Sequence, residues 1–391
     1  MIKGKKHVLS VYRLPLDHLY YNIKNGRFKM EYLLLVQKNG GRDLDPENDK
    51  DAIKIKKTLL SLDPSETRRT MDDIKERGQW VPGVVTHDGF VIDGNRRLAI
   101  LDELSAKNDD FKFMKVGKLP KDIEPNDLWK IEAGLQLGKE QIVKYGPINE
   151  LLKLREGRDA GLSTEEIAST LYGFENDKEI KEKLELLELI EDYLDTFLGK
   201  KNQYHLVKDR VEHFINLVGI LKTTDQLIDD SELKTNVKIA SYELIRKKIP
   251  HMELRKIREM IKQNSTVALE WITKIAEATM VTPTETEEPE PTLDGEVEDV
   301  IDEKDNGTKD EEEEEEEEDE IKTMYENAKD SLNVTKNKND IPKLLTRALN
   351  NLDAIDYTNE DTNKDLTKDE AKDIIVKILR HAKKLSSKIQ E

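Results

Sequence analysis

Residues 282–320 read TPTETEEPEPTLDGEVEDVIDEKDNGTKDEEEEEEEEDE, with 22 acidic and 2 basic side chains. Such a tract has too little apolar surface to offset the entropy of ordering, and its carboxylates repel one another. It cannot join a hydrophobic core, so folding has to be organised on either side of it. The expected form is a disordered, extended acidic linker; a DNA-mimicking tail is its functional alternative. The tract also accounts for the formal net charge of −18. Residues 1–281 carry 48 acidic and 48 basic side chains, and residues 321–391 carry 12 and 14. Overall acidity is therefore no argument against nucleic-acid binding by the rest of the chain.

With 391 residues, there is room for two or three domains. The absence of cysteine excludes disulfides, thiolate zinc sites and cysteine nucleophiles, and fits an intracellular, cytoplasmic protein. No apolar run approaches the roughly 18 residues of a membrane span. The opening MIKGKKHVLSVYRLP has no apolar core or cleavage site of a secretory signal.

Texture divides the first 281 residues near position 140. Before it, HVLSVYRL, VPGVVTH and FMKVGKL read as strands, and Asp88-Gly89 is a hairpin signal leading into FVID. SETRRTMDDIKERG reads as a helix, with Ser65 as its cap and Gly78 as its end. From 141 to 278 nearly everything has helical periodicity. Beyond the acidic tract, Thr367 and Glu370 form a capping box before a helix striped by Ile374, Ile375, Ile378, Leu379 and Leu385. The expected fold is an α+β N-terminal domain over 1–140, then all-α regions. These are a helix-turn-helix-like domain over 141–200, a basic helical region over 201–281 and, past the linker, a C-terminal helical domain over 321–391.

The densest chemical signal is GFVIDGNRRLAILDEL, residues 89–104. A short apolar strand meets a turn at Asp93-Gly94, with Asn95 as candidate cap. The helix that follows buries Leu98, Leu101 and Leu104. Two cations, Arg96 and Arg97, stand at the helix end that already carries partial positive charge. One reading is an anion site: backbone N–H groups behind a glycine, with forked guanidinium bonds to phosphate. The other is a plain junction whose arginines pair with Asp93, Asp102 or Glu103.

The surroundings of the box resemble the ParB/sulfiredoxin superfamily. Gly78, Gln79 and Pro82 match its G-Q-x-x-P turn. Asp93, Gly94, Arg96 and Arg97 match its D-G-x-R-R box, and Asn25, Gly26 and Arg27 match its opening Asn-x-Arg element. The resemblance spans about residues 7–140. It implies a pocket for a nucleoside triphosphate, CTP in partition proteins and ATP in sulfiredoxins and serine kinases. Gly94, Asn95, Arg96, Arg97 and Arg27 would line it, and Glu132 is the candidate for holding Mg²⁺. Asn95 replaces the sulfiredoxin cysteine, which excludes that redox chemistry. Ala99 and Ala133 stand where partition proteins have an arginine and an asparagine.

Downstream, Ser163 and Glu166 form a capping box, and Asp177 is the candidate cap of the next helix, giving a helix-turn-helix rhythm. Lys178 and Lys181 are its candidate DNA contacts. Residues 234–262 hold nine Lys/Arg and three Glu, which makes Arg246, Lys247, Lys248 and Arg255 stronger candidates for a phosphate-lined face. A solvated helix face is the plain alternative. Together these readings describe a ParB-like nucleotide-binding, DNA-associated protein whose C-terminal helices self-associate. Two rivals stay open: an enzyme on the same scaffold (an NTPase, phosphotransferase or Mg-dependent nuclease), or an interaction adaptor that has lost nucleotide binding.

Overall fold

The computed structural model describes residues 8–137, 146–171, 176–281, 309–336 and 369–390, with isolated positions between 345 and 355. The N-terminal part is a mixed five-stranded sheet wrapped by helices. Its strands are β1 (Val11–Pro15), β2 (Tyr20–Tyr21), β3 (Gly83–Val85), β4 (Phe90–Asp93) and β5 (Phe113–Lys118), in the order β1-β5-β3-β4-β2. β1 runs antiparallel to β5, pairing Val11 with Gly117 and Pro15 with Phe113. β3 lies parallel to β5 and antiparallel to β4, with a register shift between Val84 and Val85. The β3–β4 pairing is the hairpin expected at Asp88-Gly89. Gly89 has φ +99, and a Cβ there would sit 2.4 Å from the His18 carbonyl oxygen. That close approach lets the Tyr20 N–H reach the Gly89 carbonyl and seats β2, a two-residue strand with no sequence signature of its own, against β4.

Helices α1 (Lys29–Lys38), α2 (Asp49–Ser61), α3 (Pro64–Arg77) and α4 (Asn95–Ser105) cover this sheet, and α5 (Pro125–Leu137) leaves it. Phe28, Tyr32, Ile55, Leu59 and Ile74 meet Val91, Leu98, Leu101, Met114 and Val116 in one core. The caps follow local chemistry but not always the expected residue. Asp63, not Ser65, caps α3, accepting from the Glu66 N–H with Pro64 at the first helical position. Ser65 donates to Asp63 instead. Gly78 ends α3 at φ +72, as expected.

The all-α part comprises α6 (Pro147–Asp159), α7 (Thr164–Thr170), α8 (Asp177–Asp192), α9 (Val211–Leu227), α10 (Ser231–Arg246), α11 (His251–Lys262) and α12 (Thr266–Val281). The Ser163–Glu166 capping box is present on α7. Asn176, rather than Asp177, caps α8. Trp129 and Ala133 of α5 join Leu154, Leu162, Ile167, Leu171 and Ile180 in a small core. A larger core gathers α8–α12 around Tyr193, Phe214, Ile245, Ile257 and Ile272. Met30 and Leu33 of α1 pack against that larger core while Phe28 and Tyr32 face the sheet, so α1 is shared between the two halves.

Helix α13 (Lys309–Lys336) begins inside the acidic tract, which corrects the extended form expected for residues 309–320. Glutamate is a good helix former. What composition could not show is the tertiary support next to it: Ile321, Tyr325, Ala328 and Leu332 lie on one face and are buried in the large helical core. The Tyr325 hydroxyl donates to the Glu253 carbonyl, and Lys329 pairs with the Glu253 carboxylate at 2.9 Å. Residues 282–308 and Thr367 of the expected C-terminal capping box lie outside the described residues. Helix α14 (Asp369–Gln390) leaves Ile374, Ile375, Ile378, Leu379 and Leu385 exposed. Among the described residues, no helix is long and apolar enough to cross a membrane.

Candidate functional site

The Gly94 backbone carries the junction between β4 and α4. With φ +107 and ψ 19, Gly94 is the N-cap of α4, and a Cβ there would meet Met114 Cε at 2.9 Å. The capping role expected of Asn95 therefore belongs to Gly94. Asn95 is the first helical residue, only 4% exposed, and both ends of its carboxamide are engaged: Oδ1 accepts from the Asn22 N–H at 2.9 Å and Nδ2 donates to the Val91 carbonyl at 2.7 Å. It ties the loop after β2 to β4. No side chain caps α4 and no acid lies in its first turn, unlike α2, α3, α7 and α10, which have both.

The two arginines have separate tasks. Arg97 pairs with Asp93 at 2.9 Å, and its guanidinium also donates to the carbonyls of Val81 and Pro82. It stitches the G-Q-x-x-P turn to the D-G-x-R-R box, the pairing anticipated by the junction reading. Arg96 makes no hydrogen bond or ion pair with the described residues. Burial pulls its guanidinium below the ordinary value, Asp63 opposes that, and nearby Arg27 adds to it. All five predicted nucleotide-binding residues, Arg27, Gly94, Asn95, Arg96 and Arg97, line a cavity of about 440 Å³ bounded by α3 and the 79–81 turn, together with Glu66, Arg69, Asp73 and Asp93. Arg27 and Arg96 also border a second space of about 190 Å³, walled on the helical side by Asn149 and Lys208.

Arg27 is placed by contacts from both halves of the chain. The Asn25 side chain accepts from the Arg27 N–H at 3.0 Å. Asn149 of α6 accepts from the Met30 N–H at 2.8 Å and donates to the Arg27 carbonyl at 3.2 Å. Glu132 of α5 accepts from the Gly26 N–H at 3.2 Å. Its other oxygen lies 2.9 Å from Lys153 Nζ, and Lys153, fully buried, also meets Glu156 at 2.9 Å. Burial works against the Lys153 charge, but Glu132 and Glu156 outweigh it and hold the ammonium above its ordinary value. Glu132 is thus committed to a buried ion pair that fastens the Arg27 loop, and its carboxylate does not fit the role of Mg²⁺ ligand. Among the described residues, no group of three or more His, Asp or Glu is arranged to hold a metal ion.

The DNA candidates are scattered. Lys181 pairs with Asp177 at 2.6 Å and Lys178 approaches Glu182 at 3.9 Å, so the start of α8 has much of its positive charge matched within itself. Arg246 is forked onto the buried Glu243 at 2.7 and 2.8 Å, a fold-stabilising pair that takes it out of the exposed basic face. Arg255 is exposed and donates to the Asn216 side chain. Lys248 is exposed at φ +57 beside Lys247, at the turn into α11. Three residues escaped the sequence reading. Lys153 and Asn149 sit within an ordinary helical pattern, and Trp80 occupies a variable position of the G-Q-x-x-P turn, where the motif itself specifies no residue.

No protein-family model matches the chain, and no curated protein matches it. Among solved structures it is similar to a Pnob8-like ParB-N domain, at 14% identity and a TM-score of 0.33, covering 65% of this chain and 98% of that one.

Proposed function

We propose that the protein is a ParB-like nucleotide-binding, DNA-associated protein in which a nucleoside triphosphate, CTP or ATP, biases the arrangement of its two halves. The observation that carries this is the convergence of Arg27 and Arg96 on one cavity beside the start of α4, which no side chain caps. The helix end and these two guanidiniums favour an anion there, while the lining carboxylates Glu66, Asp73 and Asp93 are paired with Arg69, Arg77 and Arg97. The Arg27 loop is gripped by Glu132 and Asn149 from the helical half, so a ligand that draws in Arg27 acts on contacts between the halves. Such a ligand shifts the equilibrium only by its difference in affinity between the two states. Any Mg²⁺ enters with the phosphates; Glu132 has no part in holding it.

DNA contact is assigned to the exposed cations Lys248 and Arg255 and the half-buried Lys247, with Lys178 and Lys181 as secondary contributors. Self-association is assigned to the exposed apolar stripe of α14. The test is a titration of CTP, ATP, GTP and UTP with and without duplex DNA. Saturable binding that is lost in Arg96→Ala, and that changes DNA affinity, supports the reading. Absence of binding by the folded full chain overturns it in favour of an adaptor, and Mg-dependent cleavage of nucleic acid overturns it in favour of a nuclease. A mobility shift unaltered by Lys247→Glu with Lys248→Glu removes the DNA assignment.

A further inference from the structure

The 440 Å³ cavity has an aromatic wall that the phosphate chemistry does not use. Trp80 is 76% exposed, although tryptophan is usually among the more buried residues and Trp129 in this chain is 4% exposed. An indole left in water on a mobile loop would be unremarkable, but this loop is fixed on both sides. The Gln79 carboxamide is buried, donates to the carbonyls of Val81 and Lys115, and accepts from the Lys115 N–H. The Lys115 ammonium donates to the Gln79 carbonyl at 3.1 Å. On the other flank, Arg97 holds the carbonyls of Val81 and Pro82. The turn therefore presents an indole on a rigid mount, so a partner that stacks on it bears little ordering cost.

We infer that Trp80 is the base-stacking platform of the site: the ligand is a planar heteroaromatic ring joined to phosphate, with the ring on Trp80 and the phosphates toward Arg27, Gly94 and Arg96. This rests on the nucleotide reading above and adds to it the residue that recognises the ring. A single cavity joins both groups, and its volume falls within the range for small-ligand pockets. Stacking accepts any base because every base has a π face, so Trp80 separates nucleotides from bare polyphosphate more than one base from another.

The experiment measures, by calorimetry on the full chain, the Kd of nucleoside triphosphates, inorganic triphosphate and a short single-stranded oligonucleotide. It uses the native protein, Trp80→Ala and Trp80→Phe. Trp80→Ala weakens nucleoside triphosphate binding about tenfold or more, equivalent to about 1.4 kcal/mol. It leaves inorganic triphosphate unchanged, and Trp80→Phe retains most of the affinity. Nucleotide quenches native tryptophan emission, and the quench disappears in Trp80→Phe while calorimetric binding persists, because Trp129 and Trp271 remain. Equal nucleotide affinity in Trp80→Ala and native protein overturns the inference, as does equal loss for inorganic triphosphate. Weakening of the oligonucleotide alone overturns it in favour of a strand-binding surface. If the native chain binds neither nucleotide nor triphosphate, the nucleotide reading itself fails; if it binds both equally, only the base platform fails.

Discussion

Lys153→Met tests the fastening of the Arg27 loop most directly. Methionine keeps the length and apolar stem of the lysine but removes the ammonium that Glu132 faces at 2.9 Å. Glu132, 3% exposed, keeps the Gly26 N–H at 3.2 Å. Removing one member of a buried ion pair typically costs about 3–5 kcal/mol, and the surviving hydrogen bond places the expected loss near the lower end, about 3 kcal/mol. Burial already raises the Glu132 carboxyl above its ordinary value of 4.5, and Lys153 is the largest influence opposing that. In the variant a folded-state pKa above the unfolded value leaves the cost absent below the ordinary value, and it grows as pH rises toward the folded pKa. Urea unfolding, followed by circular dichroism and by Trp129 (whose indole N–H donates to the Lys153 carbonyl), should therefore show a larger loss at pH 8 than at pH 5. Adding Glu132→Gln removes the stranded charge yet preserves an acceptor for Gly26, so the double variant should recover to within about 1 kcal/mol of the native chain. A double variant no more stable than the worse single one, or an equal loss at both pH values, would refute this account of the pair.

Arg97→Ala removes a shielded ion pair and two carbonyl contacts and should cost about 2 kcal/mol by urea unfolding, whereas Arg96→Ala should stay within about 0.5 kcal/mol while abolishing nucleotide binding. If the stability losses fall the other way round, the division of labour between the two arginines is wrong. Gly94→Ala forces a side chain onto φ +107 against Met114 and should cost about 1–3 kcal/mol; an unchanged unfolding midpoint would dispose of the strain argument. The Arg42 fork, with both bonds at 2.9 Å, holds the Asp51 carboxyl below its ordinary value of 3.8. Its stabilisation is complete above that value and is lost as pH falls through the folded pKa. Asp51→Asn should accordingly be less stable than the native chain at pH 6, with the gap closing below about pH 4 in acid unfolding curves. A gap independent of pH would contradict it.

Much of the scaffold of this site was legible in the chain. The β3–β4 hairpin, the end of α3 at Gly78 and the Ser163–Glu166 box are fixed by neighbours within a few residues, where turn glycines and capping side chains have one dominant geometry. Misplaced caps at Asp63, Gly94 and Asn176 are errors of one or two positions between adjacent residues of similar capability. Roles were harder. Arg96 and Arg97 are equivalent on paper and both border the cavity, yet only Arg97 is spent on holding the neighbouring turn, because it alone faces Asp93 and two carbonyls. Glu132 reads on paper as a carboxylate for a metal, whereas the fold sets Lys153, 21 positions away, across from it.

The sequence by itself determined that an acidic tract interrupts the chain, that a β-containing N-terminal part precedes a helical one, and that a glycine–arginine box opens a helix at the end of a strand. Each follows from composition or from periodicities of two and 3.6, which are local properties. Only the tertiary structure decided which charges are spent on the fold, where the acidic tract becomes helix, and that an exposed Trp80 shares a cavity with Arg27 and Arg96. A charge takes its partner from whatever the fold sets opposite it in space, and that choice is not written in the spacing of residues along the chain.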